Sequence, residues 1–413
     1  MQLASERLRL SRHPCSLAPA RPVQPRPDRS RPSAAAAAMR LLIALDGSAA
    51  SEHLVESVAA AVRLSPDDEV HLASVLPPPV VAVPPSPVAT AAAVTAVLAA
   101  QEQQARVDEA RARDVLQSAA KAAMDAGVPR ARVHAHLLPA AGGASGVGES
   151  VVEFVRARSV DVAALGSRGL GSFQRSVMSL VGLGSVSDYA THHMPVPVLV
   201  VRPRAHAKGA PPPPLPSPDK HRVVVLAVDD SVHSSHALDW AAAHVTDPRD
   251  ELHVVCVALP APYPVSPILD ETSATVAAVE ASEWRDSAAR SLSYARELAE
   301  RAAARAAEAG RSARGRVVAR ALAPEGGAGD VGAALVGYAG SVQADLVVVG
   351  SRGMGSVKRS VMGFGGLGSV SDYLVHHLST PVLVVKGEAG ALPREAAHAA
   401  GAAEAARAAD ASG

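Results

Sequence analysis

Short, uninterrupted apolar runs recur along the chain, separated by longer stretches with helical patterning. Leu41–Leu45, Val70–Leu76, Val133–Leu138, Asp161–Leu165 and Val196–Val201 each read as a strand. Between them a helix is expected from about Ser51, and a proline- and alanine-rich loop follows the second run. Gln101–Ala126 has a long amphipathic pattern closed by Gly127, and Ser150–Arg158 and Ser187–His193 complete the helices. The order then returns. Strands are expected at Val223–Val228, Leu252–Leu259, Val317–Leu322, Leu346–Val349 and Val382–Val385, with helices near Leu238–Val245, Ala288–Ala309 and Val331–Tyr338. Strands apolar on both faces, alternating with helices, belong to a parallel sheet covered on both sides. The expected fold class is α/β: two tandem Rossmann-like doubly wound domains, each a five-stranded mainly parallel sheet with helices on both faces.

A duplication underlies this order. Gly166–Val201 (GSRGLGSFQRSVMSLVGLGSVSDYATHHMPVPVLVV) aligns without gaps to Gly350–Val385 (GSRGMGSVKRSVMGFGGLGSVSDYLVHHLSTPVLVV), with 25 of 36 positions identical. The opening strands match as well, so that Asp46 falls opposite Asp229. A whole domain is repeated, not a solenoid unit. The expected units are 39–203 and 222–386.

Composition sets the remaining boundaries. Residues 1–38 hold seven arginines against Glu6 and Asp28, with prolines, serines and a closing alanine run. This is either a disordered leader or an Arg-rich transit peptide; the reading is cytoplasmic in the first case, plastid or mitochondrial in the second. Residues 204–221 form a Pro-rich linker and residues 387–413 an Ala-rich tail without large apolar side chains, expected to be disordered. Lys+Arg and Asp+Glu balance at 40 each and aromatics are 2% of the chain, which argues against nucleic-acid binding. The longest uncharged stretch, Leu72–Ala100, is broken by prolines, so no membrane helix is expected. Cys15 and Cys256 form no CxxC pair and no disulfide framework.

In an open parallel sheet ligands bind beyond the carboxyl ends of the strands, where strand order reverses. Three features of each half are expected there. One is the acid ending the opening strand, Asp46 or Asp229, which alone would read as a turn or helix-capping acid. Another is the end of the second strand, at Val75 or Val257, otherwise plain core valine. The third is the glycine-rich loop running from Gly166 and Gly169 to Gly184 and Ser185, repeated as Gly350, Gly353, Gly368 and Ser369. Glycines let main-chain N–H groups approach an anion, and a following helix start adds donors and positive dipole. The same glycines could simply form tight turns; two matching copies, each with an acid in register, favour a ligand.

The chain resembles a tandem universal stress protein of the adenine-nucleotide-binding type. The resemblance is carried by the opening strands with their aspartates, by ADLVVVGSRG around Gly350, and by GSVSDY…HH…PVLVV in both halves. It implies that Asp46 and Asp229 hold the adenosine end and that Val75 and Val257 meet adenine through their backbone. It also implies that Gly166, Gly169, Gly184 and Ser185, with Gly350, Gly353, Gly368 and Ser369, embrace the phosphates. The implied ligand is ATP or AMP, with Mg2+ bindable through the phosphates. The ATP-binding pattern of that family places nine residues between the second glycine and the closing Gly-Ser or Gly-Thr. Here 14 separate Gly169 from Gly184, and likewise Gly353 from Gly368, which leaves open how many phosphates are gripped.

The expected function is therefore a nucleotide-binding stress or regulatory protein with one site per domain. The alternatives are a nucleotide-free interaction scaffold and a slow ATPase or phosphotransfer protein; no catalytic residue is assigned. His192–His193 and His376–His377 invite a metal reading, but neighbours on a helix point about 100° apart, so a solvated helix end is preferred and no metal site is expected. Walker A, GxSxG and HExxH patterns are absent. The apolar fifth strands should not stay bare; the family resemblance implies that they pair, either within the chain as an intramolecular pseudo-dimer or between copies in a homo-oligomer.

Overall fold

The computed structural model describes residues 11–12, 38–46, 54–62, 64–76, 91–140, 146–167, 185–202, 221–247, 249–259, 273–308, 316–324, 331–351 and 369–386. The first half runs β2 (Arg40–Leu45), α1 (Leu54–Val62), β3 (Glu69–Leu76), α2 (Ala91–Asp125), β4 (Val133–Pro139), α3 (Gly146–Arg158), β5 (Val162–Gly166), α4 (Ser185–His193) and β6 (Val198–Val201). The second repeats it as β7 (Val223–Val228), α5 (Val232–His244), β8 (Glu251–Val257), α6 (Ser273–Glu308), β9 (Val317–Leu322), α7 (Val331–Ser341), β10 (Leu346–Gly350), α8 (Ser369–His377) and β11 (Val382–Val385). A two-residue strand, β1 (Ser11–Arg12), precedes both.

The eleven strands among the described residues join one sheet, in the order β1-β4-β3-β2-β5-β6-β11-β10-β7-β8-β9. Every pairing is parallel except β6 with β11, which is antiparallel with Leu383 opposite Leu199. The two five-stranded sheets expected from the sequence are thus continuous with each other. Ser11–Arg12, within the segment expected to stand outside the fold, pair with His136 and Leu137 at the outer edge of β4.

Alternation along each strand feeds two cores. Leu41, Ile43 and Leu45 pack with α1 and α2 on one face, and Leu42 packs with Val151, Val155 and other residues of α3 on the other. Val224, Leu226 and Val228 face the first core and Val225 and Ala227 the second, so both layers run across the β6–β11 junction. Because both faces are covered, successive residues of the central strands β6, β7, β10 and β11 are apolar or glycine. Buried alanines of α2 (Ala112, Ala119, Ala120 and Ala123) let that helix lie close on the sheet.

Helix ends follow local chemistry. Gly127 takes φ +100° after α2, while its N–H donates to Met124 O and that of Val128 to Ala123 O. This is the left-handed cap that glycine tolerates best. Both long helices begin earlier than their amphipathic pattern suggests, α2 at Ala91 rather than Gln101 and α6 at Ser273 rather than Ala288.

Acids close the amino-terminal rim. Asp161 accepts from Arg40 N at 2.9 Å, and its repeat Asp345 accepts from Val223 N at 2.9 Å. Buried Arg222 pairs with Asp250 at 2.6 Å and also donates to Ala60 O and Ala61 O of α1 in the other half. A guanidinium supplies enough donors to satisfy a carboxylate and helix-terminal carbonyls together.

Two glycines mark close helix contacts. A Cβ on Gly148 of α3 would lie 2.6 Å from Tyr189 Cδ1, and one on Gly332 of α7 would lie 2.4 Å from Tyr373 Cδ1. Gly337, also in α7, has nothing within 4 Å. Gly332→Ala is expected to cost about 1–3 kcal/mol through overpacking. Gly337→Ala should add about 0.5–1 kcal/mol from helix propensity; urea unfolding of both variants checks the contrast.

His71, in β3 and 4% exposed, meets His136 Nε2 at 3.1 Å and packs on Phe154. Burial, opposed by Glu69, lowers its pKa to about 4. A base whose folded-state pKa lies below the unfolded 6.5 binds its proton preferentially when unfolded, so stability is lost as pH falls. Between pH 6.5 and 4 the loss from this group should reach roughly 2–4 kcal/mol. His71→Gln should flatten that part of the pH–stability curve.

Candidate functional site

Strand order reverses between β2 and β5 in the first half and between β7 and β10 in the second. Beyond the carboxyl ends of these neighbours lies the crevice in which such sheets take ligands. Ala44 stands opposite Leu165, so Asp46 and Ser167, each two residues further on, leave the sheet at the same level. Leu226 stands opposite Val348, which brings Asp229 and Ser351 out together. Val75 and Val257, at the ends of β3 and β8, are half-buried beside them. Of the expected site residues, Asp46, Val75, Gly166, Ser185, Asp229, Val257, Gly350 and Ser369 are therefore described. Gly169, Gly184, Gly353 and Gly368 lie outside the described residues.

The two aspartates differ in setting. Asp46 is exposed. Asp229 is half-buried and joins the cap of α5: Ser231 donates to its Oδ1 through N–H (3.1 Å) and Oγ (2.5 Å), and Ser234 Oγ accepts from Asp229 N at 2.9 Å. Ser231 Oγ in turn accepts from Ser234 N at 3.1 Å. Asp229 is thus a turn acid, with Ser231 as the N-cap of α5, and these bonds fix its carboxylate at the rim. Next to it, Tyr294 of α6 donates its hydroxyl to Asp230 at 2.5 Å, tying the long helix over this end of the sheet.

Serines join the strand ends to the helices that follow. Ser187 Oγ, in the first turn of α4, donates to Gly166 O at 2.5 Å; Ser371 Oγ of α8 donates to Ser351 O at 3.4 Å. These bonds hold the N-termini of α4 and α8, opening at Ser185 and Ser369, against the ends of β5 and β10. The positive ends of the two helix dipoles thus meet the crevice. Ser167 N donates to Val201 O at 2.9 Å, while its hydroxyl is buried with no hydrogen-bond partner among the described residues. Such an orphan costs about 1–3 kcal/mol unless something fills the role. Ser167, Ser187, Ser351 and Ser371 were not singled out from the sequence, although all four lie in the 36-residue repeat.

A family model described as the universal stress protein family matches residues 38–202 and again residues 220–386. The chain belongs to the universal stress protein family. No curated protein matches it at a significant level. Among solved structures it is similar to a universal stress protein from Archaeoglobus fulgidus DSM 4304, at 18% identity and TM-score 0.44, with 84% of this chain and 96% of that one covered. A protein of the universal stress protein family from Burkholderia pseudomallei is 24% identical over 40% of this chain and 96% of its own, at TM-score 0.26. A universal stress protein in complex with cAMP is 18% identical over 40% of this chain and 98% of its own, also at TM-score 0.26.

In this universal stress protein the second site has a cysteine beside it. Cys256 pairs with Val228 across β7 and β8, one residue before Asp229. Burial, reinforced by the charges of Asp229 and Asp230, pushes its thiol up to about 11. The reactive species is the thiolate. At pH 8 the native protein should leave Cys256 unalkylated by iodoacetamide over an hour, while urea-unfolded protein reacts within minutes. Peptide mass mapping reads the difference.

Proposed function

We propose that each half of this universal stress protein binds an adenine nucleotide, ATP or AMP, in the crevice at its strand-order reversal. The observation that carries this reading is the duplicated carboxyl rim. Each half presents an aspartate level with a Gly-Ser strand end, and a nine-residue helix opens against that end. The rim has the chemistry for a phosphate: main-chain donors, a helix dipole and, in the first half, a buried hydroxyl lacking a partner among the described residues. Asp46 and Asp229 would hold the ribose, and Val75 and Val257 would meet the base edge through their backbone. Gly166, Gly169, Gly184 and Ser185, with Gly350, Gly353, Gly368 and Ser369, would surround the phosphates, and Mg2+ would enter on those phosphates.

The role follows as nucleotide-dependent stress response or regulation, without an assigned catalytic residue. The units that bind are residues 39–203 and 222–386, and the fifth strands pair inside one chain as a pseudo-dimer. No helix among the described residues is long and apolar enough to cross a membrane. The leader reading carries over: the cytoplasm, or a plastid or mitochondrion where residues 1–38 act as a transit peptide.

Titration calorimetry with ATP and with AMP, in magnesium, tests the binding directly. Wild type should bind up to two nucleotides per chain, and a Gly184→Val plus Gly368→Val variant should bind at least tenfold more weakly. Equal heats from the two proteins would end the proposal. Full partner binding by the same variant would favour the scaffold reading instead, and measurable turnover the slow ATPase.

A further inference from the structure

The histidine pairs look different once the halves are joined. Helices α4 and α8, which carry SVSDYATHH and SVSDYLVHH, meet beside the β6–β11 junction. Each is gripped at its C-terminus by the other half. Arg202, just past β6, donates to Val375 O and His376 O of α8; Lys386, just past β11, donates to Thr191 O of α4. Cations at helix C-termini satisfy orphan carbonyls and complement the dipole. The reciprocal caps fix how the two helices face each other.

Their facing sides bring metal-type donors together. Among the described residues one such group occurs: single ligand atoms of Asp188, Asp372 and His376 all lie within 4.8 Å of one another. Asp188 comes from the first half and the other two from the second. His192, the repeat partner of His376, stands with Nδ1 3.6 Å from Asp188 Oδ1, as His376 Nδ1 does 3.5 Å from Asp372 Oδ1. Ligands on one ion at about 2.0–2.2 Å lie roughly 3–4 Å apart, against the 4.8 Å that bounds the three atoms of this group.

Backbone carbonyls hold both rings in place. Nδ1 of His192 is 2.8 Å from Asp188 O, and Nδ1 of His376 is 2.8 Å from Asp372 O. A carbonyl only accepts, so Nδ1 carries the proton and Nε2 keeps its lone pair. Metal-binding imidazoles are commonly held this way, by an N–H to a backbone carbonyl. His376 is 14% exposed and His192 29%, which restricts their rotamers. The two carboxylates are like charges brought close across the junction, a cost that a cation reverses.

We propose that Asp188, Asp372 and His376 bind one divalent first-row transition-metal ion that bridges the two halves. Carboxylate and imidazole donors without thiolate suit Zn2+ and its neighbours more than Ca2+ or Mg2+. This site shares no residue with the proposed nucleotide crevices and stands whether or not they take nucleotide.

The test uses the full, untagged chain, stripped with chelator and free of nucleotide, with Zn2+ as probe. Calorimetry should show one ion per chain, and melting should shift upward with Zn2+. Asp188→Asn and Asp372→Asn, one in each half, should each weaken binding at least tenfold, whereas His377→Gln, whose ring stacks on Tyr373 at 3.8 Å, should bind as wild type does. Circular dichroism verifies that the variants fold. X-ray absorption of the wild-type zinc complex should show only nitrogen and oxygen neighbours near 2.0–2.1 Å. Absence of stoichiometric uptake, uptake unchanged in both aspartate variants, or sulfur in the zinc shell would overturn the proposal.

Discussion

The antiparallel pairing of β6 with β11 is the constraint on which this architecture rests. Each half alone would end in an apolar four-residue strand, VLVV, with one row of backbone donors and acceptors unpaired. Such an edge recruits other strands. Joining the two edges satisfies both rows and buries Leu199 against Leu383. It also extends both cores across the junction. The long linker need not direct this closure; edge chemistry suffices.

Reversal of direction at that junction has a geometric consequence. The strands of the two halves run oppositely, so their carboxyl rims face opposite edges of the common sheet, and each nucleotide crevice is proposed on a separate side. Helices α4 and α8 take part in both regions. Their N-termini are tied to the strand ends by Ser187 and Ser371, and their C-termini are capped by the opposite half. Polar groups at the amino-terminal rim are occupied by structural bonds, such as Asp161 to Arg40 and Asp345 to Val223. That leaves the carboxyl rim as the place where acids, serines and helix N-termini accumulate.

Much of the fold was legible because its signals are local and repeated. Continuous apolar strands, the glycine closing α2 and the 36-residue duplication each need only neighbouring residues to be read. Helix starts were less legible. The segments before Gln101 and Ala288 are rich in alanine and weakly patterned, and alanine's helix propensity leaves no periodic mark. The candidate site was read in its acids and glycines, while the serines that join strand to helix passed unremarked, since a hydroxyl near a glycine has many ordinary uses.

By itself the sequence determined two α/β units, their order of elements and the matching Asp and Gly-Ser positions, because hydrophobic period and duplication are written along the chain. Only the tertiary structure decided that the units share one sheet, that Arg202 and Lys386 cap each other's helices, and that Asp188 meets Asp372 and His376. Those contacts join residues about 170 to 195 positions apart, and no local pattern encodes them. They arise from two apolar edges finding each other, and everything else at the junction follows from that register.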